Sequence, residues 1–256
     1  MKTVALNRAL SKLGILSRAQ ATEAIQAGRV RVHGRIVTNP LQPVVPERVH
    51  IVVDGEPKAA SEWRTILFHK PRGVVTTRRD PEGRRTIYDV LGDAGKGLVA
   101  VGRLDLATSG LLLLTTDTRL ADWITDPRHA VPRIYVATVR GNLEVWSVAR
   151  LTAGIGQGRD RLQAHAVTIL KSSPRESRAL IELREGKNRE VRRLFQAIDR
   201  RVTDLKRISL GGLELGVLEP GHWRDVSRAE VGRAFPEAKI RARRSRSVRR
   251  AKWREV

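Results

Sequence analysis

The chain contains no cysteine, so no disulfide can staple the fold and no thiolate zinc site can form, a composition that suits the cytoplasm. No apolar run approaches the roughly 20 residues of a membrane helix. The opening "MKTVALNRAL" is too poor in apolar residues for a secretory signal. Aromatic residues make up only 4% of the chain, so its core is expected to be built from Leu, Val, Ile and Ala. There is no Walker-type phosphate loop, no Rossmann fingerprint and no His pair at metal spacing. The six histidines are scattered as His33, His50, His69, His129, His165 and His222. Together these gaps argue against metal and nucleotide cofactors, and none is expected.

Acidic residues are also in short supply. Against 27 Asp and Glu stand 49 Lys and Arg, a formal charge of +22 over 256 residues. Arginine outnumbers lysine, and its planar fork suits phosphates and base stacking. No basic segment carries a matching apolar face, so the expected polyanion is nucleic acid and not a membrane.

The first 58 residues read as a unit of their own. Leu6, Leu10 and Leu13 recur on one helical face, with Gly14 as terminator. Ser17 is placed to cap a second helix that Gly28 closes. "RVRVHGRIV" then alternates Val30 and Val32 with Arg29 and Arg31, a half-buried strand turned back at Gly34. Arg8, Lys12, Arg18, Arg29, Arg31 and Arg35 fall on the polar faces and are the expected RNA contacts of this unit. Two short helices feeding a small hairpin, with Ser-Arg, Ile25 and "AGRVRVHG", resemble the RNA-binding module of ribosomal protein S-four.

Small and polar residues around 59–64 read as a linker. A mixed domain over 65–235 follows. Strands are expected at 65–69, 98–101, 110–115, 133–139, 163–170, 178–183 and 202–208, and helices at 117–125, 143–153 and 188–198. Adjacent strands favour an α+β fold with a mixed or antiparallel sheet, not a doubly wound one. The stretch 236–256 reads as a basic tail, with nine Lys or Arg and one acid from residue 239 onward, expected to be disordered.

Three stretches carry chemistry. In "GRLDLATSGLLLLTTD" a carboxylate, Asp105, stands close to a strand of four consecutive leucines, with Arg103 beside it. Its spacing fits an Asx-turn as well as a catalytic acid. "REGKNREVRRLFQAI" crowds Lys187, Arg189, Arg192 and Arg193 around an expected helix start, which opposes the helix dipole unless an anion belongs there. In "RIYVATVRG", Tyr135 lies in an alternating strand, where a packed core ring is the ordinary reading.

Taken in order, "FHKPRGVVTT", "DPEGRRTIYDVL", "GRLDLATSGLLLLTTD", "RIYVATVRG", "EGKNREVRRLFQAI" and "LEPGHWRDV" resemble the RNA pseudouridine synthases, in the branch that modifies single ribosomal uridines. The resemblance spans nearly all of the expected catalytic domain. "DPEGRRT" and "NREVRRL" are most similar to the large-subunit rRNA members. Two positions depart: Arg133 stands where Lys is common, and Asp199 where Gly often closes the last helix.

The resemblance implies isomerisation of uridine to pseudouridine without a cofactor. Asp105 matches the essential carboxylate, Tyr135 the aromatic that stacks on the flipped base, and Lys187 the basic residue that pairs with the aspartate. Lys70, Arg103, Arg189, Arg192 and Arg193 are the further expected RNA contacts, and the leucine strand is expected to floor the pocket. A small-subunit rRNA enzyme, a non-catalytic assembly factor and a base-excising glycosylase remain as alternatives. A monomer is expected.

Overall fold

The computed structural model describes residues 3–13, 15–16, 18–46, 48–57, 62–157 and 160–238. The positions of Gly14 and Ser17, the first half of the expected linker and the basic tail beyond residue 238 lie outside them.

The N-terminal residues build their own small core. Helices Leu6–Lys12 and Arg18–Gln26 pack Leu6, Leu10 and Ile25 against Val30, Val32, Ile51 and Val53. A four-stranded antiparallel sheet runs in the order Arg35–Ile36, Val30–Val32, Ile51–Val53, Glu56–Pro57. Residues 56 and 57, at the edge of the expected linker, therefore belong to this sheet. A bond from Thr118 Oγ1 to the Lys12 carbonyl (3.4 Å) ties this unit to the larger part of the chain.

That larger part is a nine-stranded mixed sheet. Its main path runs Ala166–Lys171, Glu176–Leu183, Arg133–Arg140, Val202–Leu210, Ser109–Thr115, Thr65–Lys70, Trp223–Asp225. Helices cover both faces, so the central strand is buried on both. Its leucines split by the two-residue period. Leu111 and Leu113 meet Leu120, Ile124, Val231 and Phe235 on one face. Leu112 and Leu114 meet Phe68, Leu104, Tyr135, Leu194 and Phe195 on the other. Each fully buried leucine contributes roughly 1.5–3 kcal/mol.

Neighbouring strands pair antiparallel except at one joint, where Lys206 and Arg207 run parallel to Ser109 and Gly110. Gly110 has φ +108°, and a Cβ there would lie 2.1 Å from the Arg207 carbonyl oxygen. Only glycine lets the two halves of the sheet approach so closely. This joint directly follows the loop that carries Asp105.

The expected strands and helices of this part are all present, with shifted ends; the strand expected from 163 begins at Ala166. The helix expected over 188–198 is shorter, Glu190–Gln196, which leaves Lys187 and Arg189 in the preceding loop. Arg189 takes a left-handed φ of 47° there. Asp199, where the resemblance leads to the expectation of Gly, also has a left-handed φ of 55°; aspartate tolerates this better than most side chains. Two short helices went unread. Ile87–Leu91 is capped by Thr86, with Asp89 completing a capping box, and Arg228–Ala234 is capped by Ser227. The hairpin Ile155–Gln157/Asp160–Leu162 and the edge strand Trp223–Asp225 were also missed. Among the described residues no helix is long and apolar enough to cross a membrane.

Candidate active site

Residues 102–108 form a short loop between Val99–Ala100 and the leucine strand, and its backbone is held from several sides. Thr76 Oγ1 donates to the Leu104 carbonyl (2.9 Å) and accepts from the Leu104 amide (3.3 Å). The Gly73 amide donates to the Leu106 carbonyl (2.9 Å), and the Thr108 amide to the Asp105 carbonyl (3.0 Å). Arg192 joins in with Nη2 on the Ala107 carbonyl (3.0 Å) and Nη1 on that of Val202 (3.1 Å).

Lys70 completes the clamp, and here the expectation of an RNA contact is corrected. The strand Thr65–Lys70 is buried along its whole length, and Lys70 itself is 0% exposed. Its ammonium donates to the carbonyls of Pro71 (3.0 Å), Asp105 (3.2 Å) and Thr108 (2.8 Å). Burial lowers its pKa to about 8, opposed by the negative charge of Asp105. A lysine enclosed in this way fastens the loop and cannot reach a ligand's phosphate.

Beside the loop lies a cavity of about 170 Å³, lined by Asp105, Tyr135 and Lys187 together with Arg103, Arg189 and Arg192. Tyr135 is 9% exposed on the inward face of Arg133–Arg140, between Ile181 and Arg207 on the flanking strands. Asp105 is half-buried and Arg103 exposed at the rim. Three residues from distant stretches are thus brought to one cavity.

The partner expected for Asp105 is different. The Lys187 ammonium is bonded to Glu185 Oε1 (2.7 Å) and the Arg161 carbonyl (2.6 Å), so its ion pair is with Glu185. The positive charges that act on Asp105 are instead those of Lys70 and Arg192, each of which feels its carboxylate. Glu190 at the helix start accepts from the Lys187 amide (3.2 Å). Burial and the adjacent Glu185 push its carboxyl up to about 8. Of the cations before this helix, Lys187 is met by Glu185 of the same motif.

The floor also departs from expectation. None of the four leucines lines the cavity; its apolar wall comes from Val101, Leu104, Ile124, Leu183, Val191, Leu205 and Leu210. The leucine strand runs past the loop and packs into the cores on its two faces.

Sequence reasoning passed over further polar lining residues, among them Thr108, Arg133 as a cavity residue, Glu190 and Arg207. Thr108 Oγ1, Glu190 Oε1, Arg192 Nε and Arg207 Nη2 are all buried without a hydrogen-bond partner. A signal for Arg207 was present. In "VTDLKRISL" it shares the two-residue period of Leu205 and Ser209, which are buried with it.

The remaining expected RNA contacts lie on the surface or partly so. Arg8, Arg18, Arg31 and Arg35 are exposed and Lys12 is half-buried. Arg29 is paired with Asp54 (3.4 Å) and Glu23 (3.8 Å). Arg31 donates to the Gly34 carbonyl (3.3 Å). Arg193 is half-buried on the helix Glu190–Gln196 and is not among the cavity residues.

With this geometry in hand, comparison with known proteins is informative. Residues 64–197 match the RNA pseudouridylate synthase family, and residues 6–49 match the S4 domain. The chain belongs to the RNA pseudouridylate synthase family. A Bacillus subtilis protein named ribosomal large subunit pseudouridine synthase B is 34% identical over 230 residues, covering 89% of this chain and 94% of that protein. An Aquifex aeolicus protein named uncharacterized RNA pseudouridine synthase is 35% identical over 236 residues, covering 92% and 95%. A crystal structure of a pseudouridylate synthase superposes with a TM-score of 0.66 at 28% identity, covering 90% of this chain and 99% of that one. The chain is thus an RNA pseudouridine synthase with an S4 domain ahead of its synthase domain.

Proposed function

We propose that this synthase isomerises a uridine of large-subunit ribosomal RNA, with Asp105 acting on the ribose, Tyr135 stacking on the everted base and Lys187 ordering the loop beside them. The observation that carries this reading is the convergence of Asp105 and Tyr135 on one small cavity rimmed by the exposed Arg103 and Arg189, with Arg192 holding the loop beside them. A base must leave its stack to enter such a cavity, at a cost of a few kcal/mol that stacking and hydrogen bonds offset. The phenol ring supplies the aromatic face. Arginines at the rim are suited to the flanking phosphates. The clamped loop presents the carboxylate in a fixed place, so little reorganisation is needed when the glycosidic bond breaks. An apolar wall excludes water that would otherwise trap the detached sugar as an abasic site.

The S4 unit, taken as residues 1–58, supplies a second RNA surface through Arg8, Arg18, Arg31 and Arg35, and the synthase unit is taken as 65–235. The large-subunit choice is supported by the names of relatives such as the Bacillus subtilis protein, and on this reading the enzyme works in the cytoplasm on nascent ribosomes.

Pseudouridine mapping on RNA from cells with and without the protein tests the substrate. One large-subunit position should lose its mark and regain it on complementation, but not with Asp105→Asn. Loss of the mark from small-subunit or non-ribosomal RNA would refute the choice, and turnover by the Asn variant would refute the role of Asp105.

A further inference from the structure

The inner side of the cavity holds two guanidinium groups that are more deeply placed than the rim arginines. Arg207 is 3% exposed and Arg133 6%. Among the described residues Arg133 donates only to main-chain carbonyls, those of Val131 (2.7 Å) and Ile124 (3.0 Å). Arg207 spends its Nε on the Leu111 carbonyl (2.7 Å), and its Nη2 has no partner. Among the described residues neither makes an ion pair with a carboxylate within 4.0 Å. Burial lowers the pKa of Arg133, and the charge of Arg207 acts in the same direction. Glu190, an acid that offsets Arg133, is itself held toward its neutral form.

Two buried cations without a counter-charge are costly, and such an arrangement persists where a ligand supplies the missing negative charge. The sheet leaves little freedom to relieve the cost by moving Arg207. Its backbone is locked against Gly110 in the parallel joint, and it sits directly across from Tyr135.

The reaction generates an anion at this depth. The C1′–N1 bond breaks with its electron pair leaving on the base, so uracil departs as an anion whose charge spreads over N1, O2 and O4. Asp105 either bonds C1′ and later releases it, or takes the 2′ proton and later returns it. The base then turns, C5 bonds to C1′, C5 gives up its proton, and N1 takes one up. Atoms and electrons balance, and no co-reactant is consumed. Through the turn the charge on the ring moves relative to the protein. A forked donor with a free nitrogen can follow a carbonyl oxygen through part of that motion, whereas one directional neutral donor cannot.

We propose that Arg207, supported by the field of Arg133, is a further catalytic residue that donates to the detached uracil anion and stabilises it until the carbon–carbon bond forms. This rests on the reading that places the base against Tyr135. An alternative anion, the phosphate of the target nucleotide, is present before any bond breaks. The two are separable, because a phosphate contact contributes to binding and an anion contact only to the chemical step.

The test uses the full chain and RNA extracted from cells lacking the protein, so that any natural substrate is present. Single-turnover rates of pseudouridine formation and RNA dissociation constants are measured for wild type, Arg207→Gln and Arg207→Lys, and thermal melting verifies folding. Loss of one donor to a developing anion typically costs 10²–10³-fold in rate. Arg207→Gln should show that loss with its dissociation constant within about threefold of wild type, and Arg207→Lys, which keeps the charge, should recover at least about tenfold. A defect confined to the dissociation constant would overturn the proposal, as would a Lys variant no faster than Gln in folded protein. If the wild type marks non-ribosomal RNA, the substrate reading fails while the Arg207 comparison still stands or falls on its own rates.

Discussion

Replacing Lys70 with methionine separates two roles for a lysine of this motif, gripping RNA and gripping the loop that bears Asp105. Methionine keeps most of the stem's volume and removes all three donors from the loop. The Asp105 carbonyl keeps the Thr108 amide at 3.0 Å, so the carbonyls of Pro71 and Thr108 bear most of the loss, at about 1–3 kcal/mol each. Opposing this, the enclosed charge is itself unfavourable. Bringing the ammonium from 10.5 down to about 8 corresponds to about 3.5 kcal/mol, at roughly 1.4 kcal/mol per pH unit. The two effects largely cancel, so Lys70→Met should change global stability by about 3 kcal/mol at most. Activity should respond more sharply, because a displacement of about 1 Å in a reacting group can cost 10²-fold.

The assay pairs single-turnover pseudouridylation with RNA binding across a salt series. The expected result is a rate about 10²-fold lower with an unchanged dissociation constant and salt slope. A folded, fully active variant would refute the clamp, and a salt slope shallower by about one contact would restore Lys70 to the RNA surface. The pH dependence gives a second readout. The folded ammonium loses its proton near 8 and the unfolded one near 10.5. Between those values the unfolded chain holds more protons, so stability rises with pH there. The Met variant should lack that rise in urea titrations.

Two further variants probe the frame around the site. Gly110→Ala forces a Cβ into the Arg207 carbonyl at a φ that L-residues avoid, and urea unfolding should show a loss of about 3 kcal/mol or more. Gly73→Ala, also at positive φ (+75°) but with open space around it, should lose only about 1–2 kcal/mol; equal losses at both positions would refute the close-approach argument. For Glu190, raised from 4.5 to about 8 by burial and Glu185, the folded state holds a proton that the unfolded chain has released. Stability should therefore fall as pH rises through that interval. Glu190→Gln should flatten the fall, and an unchanged slope in urea titrations at pH 5, 6.5 and 8 would show that Glu190 does not hold the proton.

Much of the architecture was legible because it depends on local periodicity. The alternation of Tyr135, Ala137 and Val139, the unbroken apolar run at 111–114 and the leucine spacing at 6 and 10 each specify an element and its buried face. The missed helices at 87–91 and 228–234 are too short for a periodic signal, and only their capping residues announce them. The motif residues Asp105, Tyr135 and Lys187 were legible as a set through resemblance, and the sheet brings them to one cavity.

What sequence could not supply was partnership. Whether a lysine faces solvent or a ring of carbonyls depends on which strand lies next to it. Lys70 and Lys187 look alike in the chain, yet one is closed in by the Asp105 loop and the other is held by Glu185. The same holds for Arg207, whose unmatched charge becomes visible only when the tyrosine strand and Gly110 are set beside it. The sequence by itself determined the composition of the core and most of its elements, because those follow from residue type and spacing along one chain, while the family was reached through the resemblance of its motifs. Tertiary structure alone decided which charges are compensated and which are left for a substrate, because electrostatic energy depends on distances between residues remote in the chain.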